Sequence, residues 1–406
     1  MSYILIVLIV FLCLFGIKNN GLSLTSIVLF IYILMLLSSF PLSISLGLIK
    51  LYVRPVNTEI IMIFFMLFFL LLPFVLLNTN KVKIIEHFSI ELMDKLSYII
   101  IVSSFISIIY FSVVVFNLFT KADLSTFRHL LVSSGNPYID KGFINTFSGT
   151  VATFYTLPLF LFYFYLSIGK IKITLFFASL SYPIFVLAYM GRDGALFWFF
   201  SNASLLLLFY RFINYKTLRV VKRILFFFSI IFLVVFLFVT FNRFGSIDDS
   251  LISIFSYLGQ PILNLIKLFD LNIVHSNGNN SFNLFFHFFN SIDYKQQYLY
   301  SLYDNIELSW TFGTILKNLY VDFGFYISLC ILMVVFVIIS FYRFKVNRGK
   351  VGIIGLFVFF CYSQIILQGV FYFRQYNDVG NLYIIVIISM AFIGFFVKYK
   401  YYLERK

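Results

Sequence analysis

Charge is what this chain has least of. Only 11% of its 406 residues are charged and 62% are hydrophobic, whereas globular chains carry about 25% and 45–50%. A soluble domain is thereby excluded. Cysteine is also scarce, and Cys13, Cys330 and Cys361 all fall inside apolar stretches, which leaves no disulfide framework and no CxxC metal site. No Walker loop, dinucleotide fingerprint, HExxH, GxSxG or EF-hand pattern occurs, so no cofactor or metal is expected. The sequon Asn279-Asn280-Ser281 is a lone match.

What is present is apolar sequence in long runs, at a mean hydropathy of +1.00. A hydrocarbon core of about 30 Å needs roughly 20 apolar residues per helix, because backbone groups cannot be left unpaired in lipid. Eleven spans are expected, near 2–17, 22–49, 60–77, 96–119, 143–168, 171–190, 194–210, 224–241, 319–341, 351–371 and 379–397. The stretch from Tyr3 to Ile17 has no basic n-region and no small-residue cleavage site, and reads as a retained span. Pro41, Pro73, Pro158 and Pro183 interrupt spans and mark kinks or breaks. The fold class expected is all-α, a single integral membrane domain over 1–406 with one long external loop at 242–318.

The charges orient this bundle. The loops at 18–21, 78–95, 169–172, 211–223 and 342–350, with the tail from Lys398, hold 19 of the 30 Lys and Arg. That set is assigned to the cytoplasm, and the long loop to the outside. The clusters Arg211, Lys216, Arg219, Lys222, Arg223 and Arg343, Lys345, Arg348, Lys350 need no partner beyond anionic lipid. The net charge of +14 therefore does not point to nucleic acid.

Outer positive charges are different, because the topological rule does not explain them. Arg192, Arg243 and Arg374 each stand at the outer end of an expected span. A guanidinium there either snorkels to headgroups or clamps a phosphate through its planar fork of donors. Asp322, in NLYVDFGFYISL, lies just after the long loop. It is either a helix-start carboxylate favoured by the dipole, or a general base or acceptor-positioning acid. His275 and His287 in the loop can shuttle protons near neutral pH, with Asp304 and Glu307 as weaker candidates. Gln364 and Gln368 share a helix face, where amides bond between helices. Phe282 to Phe289 reads as amphipathic packing.

Three segments occur in a recognisable order. GRDGALFWFF (Gly191 to Phe200), FNRFGSIDDSLISIFSYLGQPILNL (Phe241 to Leu265) and LYVDFGFYIS (Leu319 to Ser328) resemble, in turn, three motifs of Wzy-type oligosaccharide repeat-unit polymerases. These are the Arg-bearing helix start, the Arg with a Tyr-x-Gly-x-Pro-x-x-Asn loop opening, and the Asp-Phe-Gly return to the membrane. The resemblance covers about half the chain, from Tyr189 onward.

It implies a C-type glycosyltransferase architecture in a bacterial cytoplasmic membrane, with its active face outside. The implied activity is transfer of a growing glycan from undecaprenyl pyrophosphate to another lipid-linked repeat unit, in O-antigen or capsule synthesis. The implied partners are the undecaprenyl-pyrophosphate-linked oligosaccharide, membrane lipid, a chain-length regulator and a flippase. Arg192, Arg243 and Arg374 then bind pyrophosphate, and Asp322, His275 or His287 takes the acceptor proton. The alternatives are an O-antigen ligase-like transferase and a lipid-linked oligosaccharide flippase or other transporter. Almost charge-free, unequal spans disfavour transport, which places charge at the bilayer midplane.

Overall fold

The computed structural model describes residues 2–45, 57–121, 138–139, 142–189, 191, 193–244, 258–266, 268–269, 273, 275–287 and 313–404. Within them the apolar stretches are helical. In chain order the helices are α1 (Ser2–Asn20), α2 (Leu24–Ser45), α3 (Asn57–Leu76), α4 (Ile90–Lys121), α5 (Phe143–Thr153), α6 (Thr156–Ser167) and α7 (Ile173–Ala178). They continue with α8 (Ser181–Ala188), α9 (Asp193–Phe209), α10 (Tyr215–Phe244), α11 (Asn283–His287), α12 (Ile315–Asn347), α13 (Ile353–Gln368) and α14 (Asp378–Phe396).

Among the described residues, four helices are long and apolar enough to cross a membrane, over Ile60–Lys81, Ile90–Thr120, Ile315–Tyr342 and Asp378–Phe396. The pair α5 and α6, bent by 43°, makes a fifth when counted as one span. The chain is thus mostly helical, with four or five helices of membrane length among the described residues. Two prolines sit just past helix breaks: Pro158 is the third residue of α6 and Pro183 the third of α8. Each lacks an N–H, and its ring collides with the preceding turn, so the earlier helix ends before it. Pro73 instead stays inside α3.

The chain divides into two compact units, each assembled from separated segments. The first comprises Met1–Val82, Thr240–Val351 and Val358–Ala391. Its helices α1, α2 and α3 are tied at one end by amides. Asn20 donates to the Phe74 carbonyl at 2.8 Å and to Thr25 at 3.2 Å, while Asn80 donates to the Asn20 carbonyl at 2.7 Å. Gly21 (φ 60°) makes the turn that lets α2 fold back on α1. In the long loop, residues 258–266 form a helical stretch whose Ile262 and Leu265 are fully buried. A Cβ on Gly259 would lie 2.6 Å from the Ser38 carbonyl oxygen of α2, so only glycine permits this approach. Residues 258–266 are therefore part of the unit's core.

The second unit comprises Lys83–Val239, Gly352–Phe357 and Phe392–Lys406. Buried polar side chains bond its helices together, as expected where lipid gives apolar contacts no advantage over one another. Tyr155 and Ser201 hydroxyls lie 2.9 Å apart, Tyr163 donates to Asn202 at 3.4 Å, and the Trp198 indole donates to Ser179 at 2.8 Å. The glycines of the GRDG segment serve packing. A Cβ on Gly194 would stand 2.5 Å from Val186 Cβ on α8. Among the described residues, three strands depart from a purely helical reading: β1 (Ile84–His87), β2 (Lys350–Gly352) and β3 (Tyr401–Glu404). The tail strand β3 pairs antiparallel with β1, Ile84 opposite Glu404 and His87 opposite Tyr401. The His87 ring stacks on Tyr401, with centroids 5.8 Å apart.

Orientation is open to a direct test. With Cys13, Cys330 and Cys361 replaced by alanine, single cysteines are placed at Tyr376 and at Asn214, both exposed. In intact cells, Tyr376→Cys is expected to react with an impermeant thiol reagent and Asn214→Cys is not. Reaction of Asn214→Cys alone reverses the orientation.

Candidate functional site

The loop residues HSNGNNS build one tight turn. Asn277 and Gly278 both take positive φ, 51° and 89°, and the Asn279 N–H closes on the Ser276 carbonyl at 3.1 Å. Two left-handed central residues define a type I′ turn, which Asn-Gly adopts with little steric cost. The turn aims three donors at one acid. The Ser276 hydroxyl and the Asn280 N–H (3.0 Å) donate to Asp322 Oδ1, and the Ser281 N–H donates to Oδ2 at 3.0 Å. Asp322 is fully buried.

Helix α12 supplies the other half of the site. Gly324 holds φ 67° and ψ −173°, a region open essentially to glycine alone, and it divides α12 into a short segment, 315–323, and a long one. A break leaves the carbonyls of the preceding turn without helical donors. The Ser276 N–H takes the Val321 carbonyl at 3.0 Å, and the Ser328 hydroxyl takes that of Leu319 at 2.8 Å. The loop thus docks where the helix is interrupted.

Two asparagines complete the framework. Asn381 of α14 is fully buried. It donates to the Ser281 carbonyl at 2.9 Å and the Gln375 carbonyl at 2.7 Å, and accepts from the Leu284 N–H at 3.2 Å. Asn318 donates to the Ser281 hydroxyl at 3.3 Å and accepts from the Phe373 N–H at 3.4 Å. The Phe282 ring packs between Phe323 and Phe373, with centroids 5.7 and 5.5 Å away. That agrees with a packing role at the first residue of the Phe282 to Phe289 stretch.

Several residues singled out in the sequence come together here. His275 stands at the helix break, with its ring edge-to-face on Tyr320 at 5.3 Å. Its Nε2 is 2.8 Å from where a Gly324 Cβ would sit. Arg374 lies, half-buried, in the short helical turn Arg374–Tyr376. The flanking residues Phe373 and Gln375 are the ones held by Asn318 and Asn381. His275, Asp322 and Arg374 therefore share one framework in the first unit.

Other candidates are not placed there. His287 ends α11 and Arg243 lies in α10, but their side chains fall outside the description. Arg192, Asp304 and Glu307 lie outside the described residues. Asp322 differs from a helix-start carboxylate: its bonds run to the loop turn, 41 to 46 residues away in sequence, and not to the first N–H groups of its own helix. Gln368 is buried and accepts from Gln375 at 3.2 Å, so this amide bonds the arginine-bearing turn. The sequence reading passed over Ser276, Asn318, Asn381 and the buried Lys317. The one available signal was an amide or cation inside an apolar run, as in DVGNLYIIV for Asn381.

This framework generates a stability prediction. Asp322→Asn sets an NH2 group against N–H donors and removes the charge that strengthens three hydrogen bonds, and is expected to cost about 2–3 kcal/mol. Gly324→Ala is expected to cost about 1–3 kcal/mol of backbone strain and to displace His275. Thermal unfolding of the purified protein, with protease sensitivity of the loop, measures both. A wild-type profile for each variant contradicts the docking described.

Compared with known proteins, the chain matches no family model, no curated protein and no solved structure.

Proposed function

We propose that the chain polymerises lipid-linked oligosaccharide repeat units at the outer face of a bacterial cytoplasmic membrane, as a glycosyltransferase with an undecaprenyl-pyrophosphate-linked donor. The observation that carries this reading is the docking of the long loop on the broken helix α12, with His275 and Arg374 on the same framework. The Asp-Phe-Gly segment that resembles a polymerase motif includes two residues of this docking, Asp322 and Gly324, and the loop-opening segment includes Gly259, which packs on α2.

The chemistry follows from the residue types. A hydroxyl oxygen of the acceptor sugar attacks the anomeric carbon of the donor, and the bond from that carbon to the pyrophosphate breaks. The pyrophosphate leaves with the electron pair, and its growing negative charge is met by guanidinium groups. Arg374 is the one whose surroundings are described, and Arg192 and Arg243 are the further cations of this reading. The acceptor proton passes to His275, the titratable side chain at the helix break, with His287 as the second candidate. Asp322 is fully buried and both its oxygens already accept hydrogen bonds. It acts as a positioning residue that holds the turn next to His275. A donor with a long lipid tail fits an enzyme built mainly of apolar helices.

Gel analysis of surface glycan tests the reading. Deletion is expected to leave single repeat units exported and attached, with elongation lost. Loss of all surface glycan, with lipid-linked units trapped on the cytoplasmic leaflet, indicates a flippase instead. His275→Gln and Arg374→Lys are expected to lower polymer at least about tenfold at normal protein levels, since Lys keeps the charge and loses the fork. Asn381→Ala removes no base, yet is expected to reduce polymer in the same direction as Asp322→Asn. Full-length polymer in the deletion strain overturns the proposal.

A further inference from the structure

We infer that the cytoplasm-directed start of α10 is a binding site for the phosphate headgroup of an anionic phospholipid, separate from the proposed polymerase site. Between Asp193 and Asp248 the chain contains no acidic residue. Within this stretch Tyr215, Leu218, Arg219, Lys222, Arg223 and Phe226 recur at helical spacing along one face of α10. They line a cleft of about 390 Å³. Three cations thus stand between two aromatic side chains, Tyr215 and Phe226, which are 67% and 69% exposed.

Arg219 is held in advance of any ligand. Its guanidinium donates to the Tyr215 hydroxyl at 3.0 Å and lies 4.9 Å from the centre of that ring. A cluster that serves only to orient the chain needs no such tether, whereas a fixed guanidinium has already lost part of the rotamer freedom that anion binding costs. Past the cations, the helix exposes Phe227, Ile230 and Val234, a surface suited to acyl chains. Cations above and an apolar face below match a phosphodiester whose chains run along the helix. Free phosphate satisfies the first feature and leaves the second unused. The Lys and Arg distribution directs this end of α10 to the leaflet in which anionic lipid attracts basic side chains.

The test uses the full-length protein in neutral detergent, with native mass spectrometry reading retained lipid. Wild type is expected to hold phosphatidylglycerol about tenfold more tightly than chain-matched phosphatidylcholine. Tyr215→Phe keeps the ring and every charge but removes the hydroxyl that accepts from Arg219, and is expected to lower that preference several-fold. The pair Arg219→Gln and Lys222→Gln is expected to abolish it. Should the pair variant not fold, Tyr215→Phe decides. Equal retention of the two lipids by wild type, or an unchanged preference in Tyr215→Phe, overturns the inference. Displacement of phosphatidylglycerol by millimolar inorganic phosphate assigns the cleft to a free anion and overturns it as well.

Discussion

A carboxylate taken fully out of solvent holds the loop turn at 276–281 to the broken helix α12. Burial of a charge is costly unless its hydrogen-bonding capacity is met, and among the described residues Asp322 meets that condition through the turn at 276–281. The dependence is mutual. Without the acid, the Asn280 and Ser281 N–H groups lose their acceptor, and buried donors left unmade cost more than a made bond contributes. Loop and helix are therefore either docked together or both destabilised.

The interruption at Gly324 makes that docking possible. A continuous helix satisfies its own carbonyls and offers a loop nothing, whereas a break exposes acceptors that another segment must fill. Ser276 fills one of them, and this brings His275 to the break, where the missing Gly324 side chain leaves room for its ring. Asn318 and Asn381 extend the same network to the turn carrying Arg374. In the proposed reading, His275 and Arg374 on this framework supply the proton acceptor and the cation that glycosyl transfer from a pyrophosphate uses.

The second unit follows the other rule of membrane interiors. With lipid on the outside, its helices gain specificity from buried hydroxyl, amide and indole pairs such as Tyr155–Ser201 and Trp198–Ser179. Small residues allow close approach, as Gly194 does against Val186. At its polar edge the tail adds a strand to β1, and Lys172 bonds Asp94 at 2.5 Å while lying over the Tyr165 ring at 4.2 Å. Charge in this unit collects where the helices end.

The sequence by itself determined the helical character of the apolar stretches, because a backbone in lipid must bond within its own segment. It also determined the Asn-Gly turn, because few other pairs accept two left-handed residues. Asp322 was visible as an acid in an apolar run, but its role was not. Hydrophobic patterning records burial and carries nothing about which polar groups meet. The pairing of Ser281 with Asn381, a hundred residues apart, and that of β1 with the tail join groups that are individually ordinary. Gly324 and Gly259 stand in the sequence as motif glycines, but it does not say that a His275 ring and a Ser38 carbonyl lie where their side chains would be. Tertiary structure alone decided those meetings, since each depends on the path of two distant segments and neither segment encodes the other.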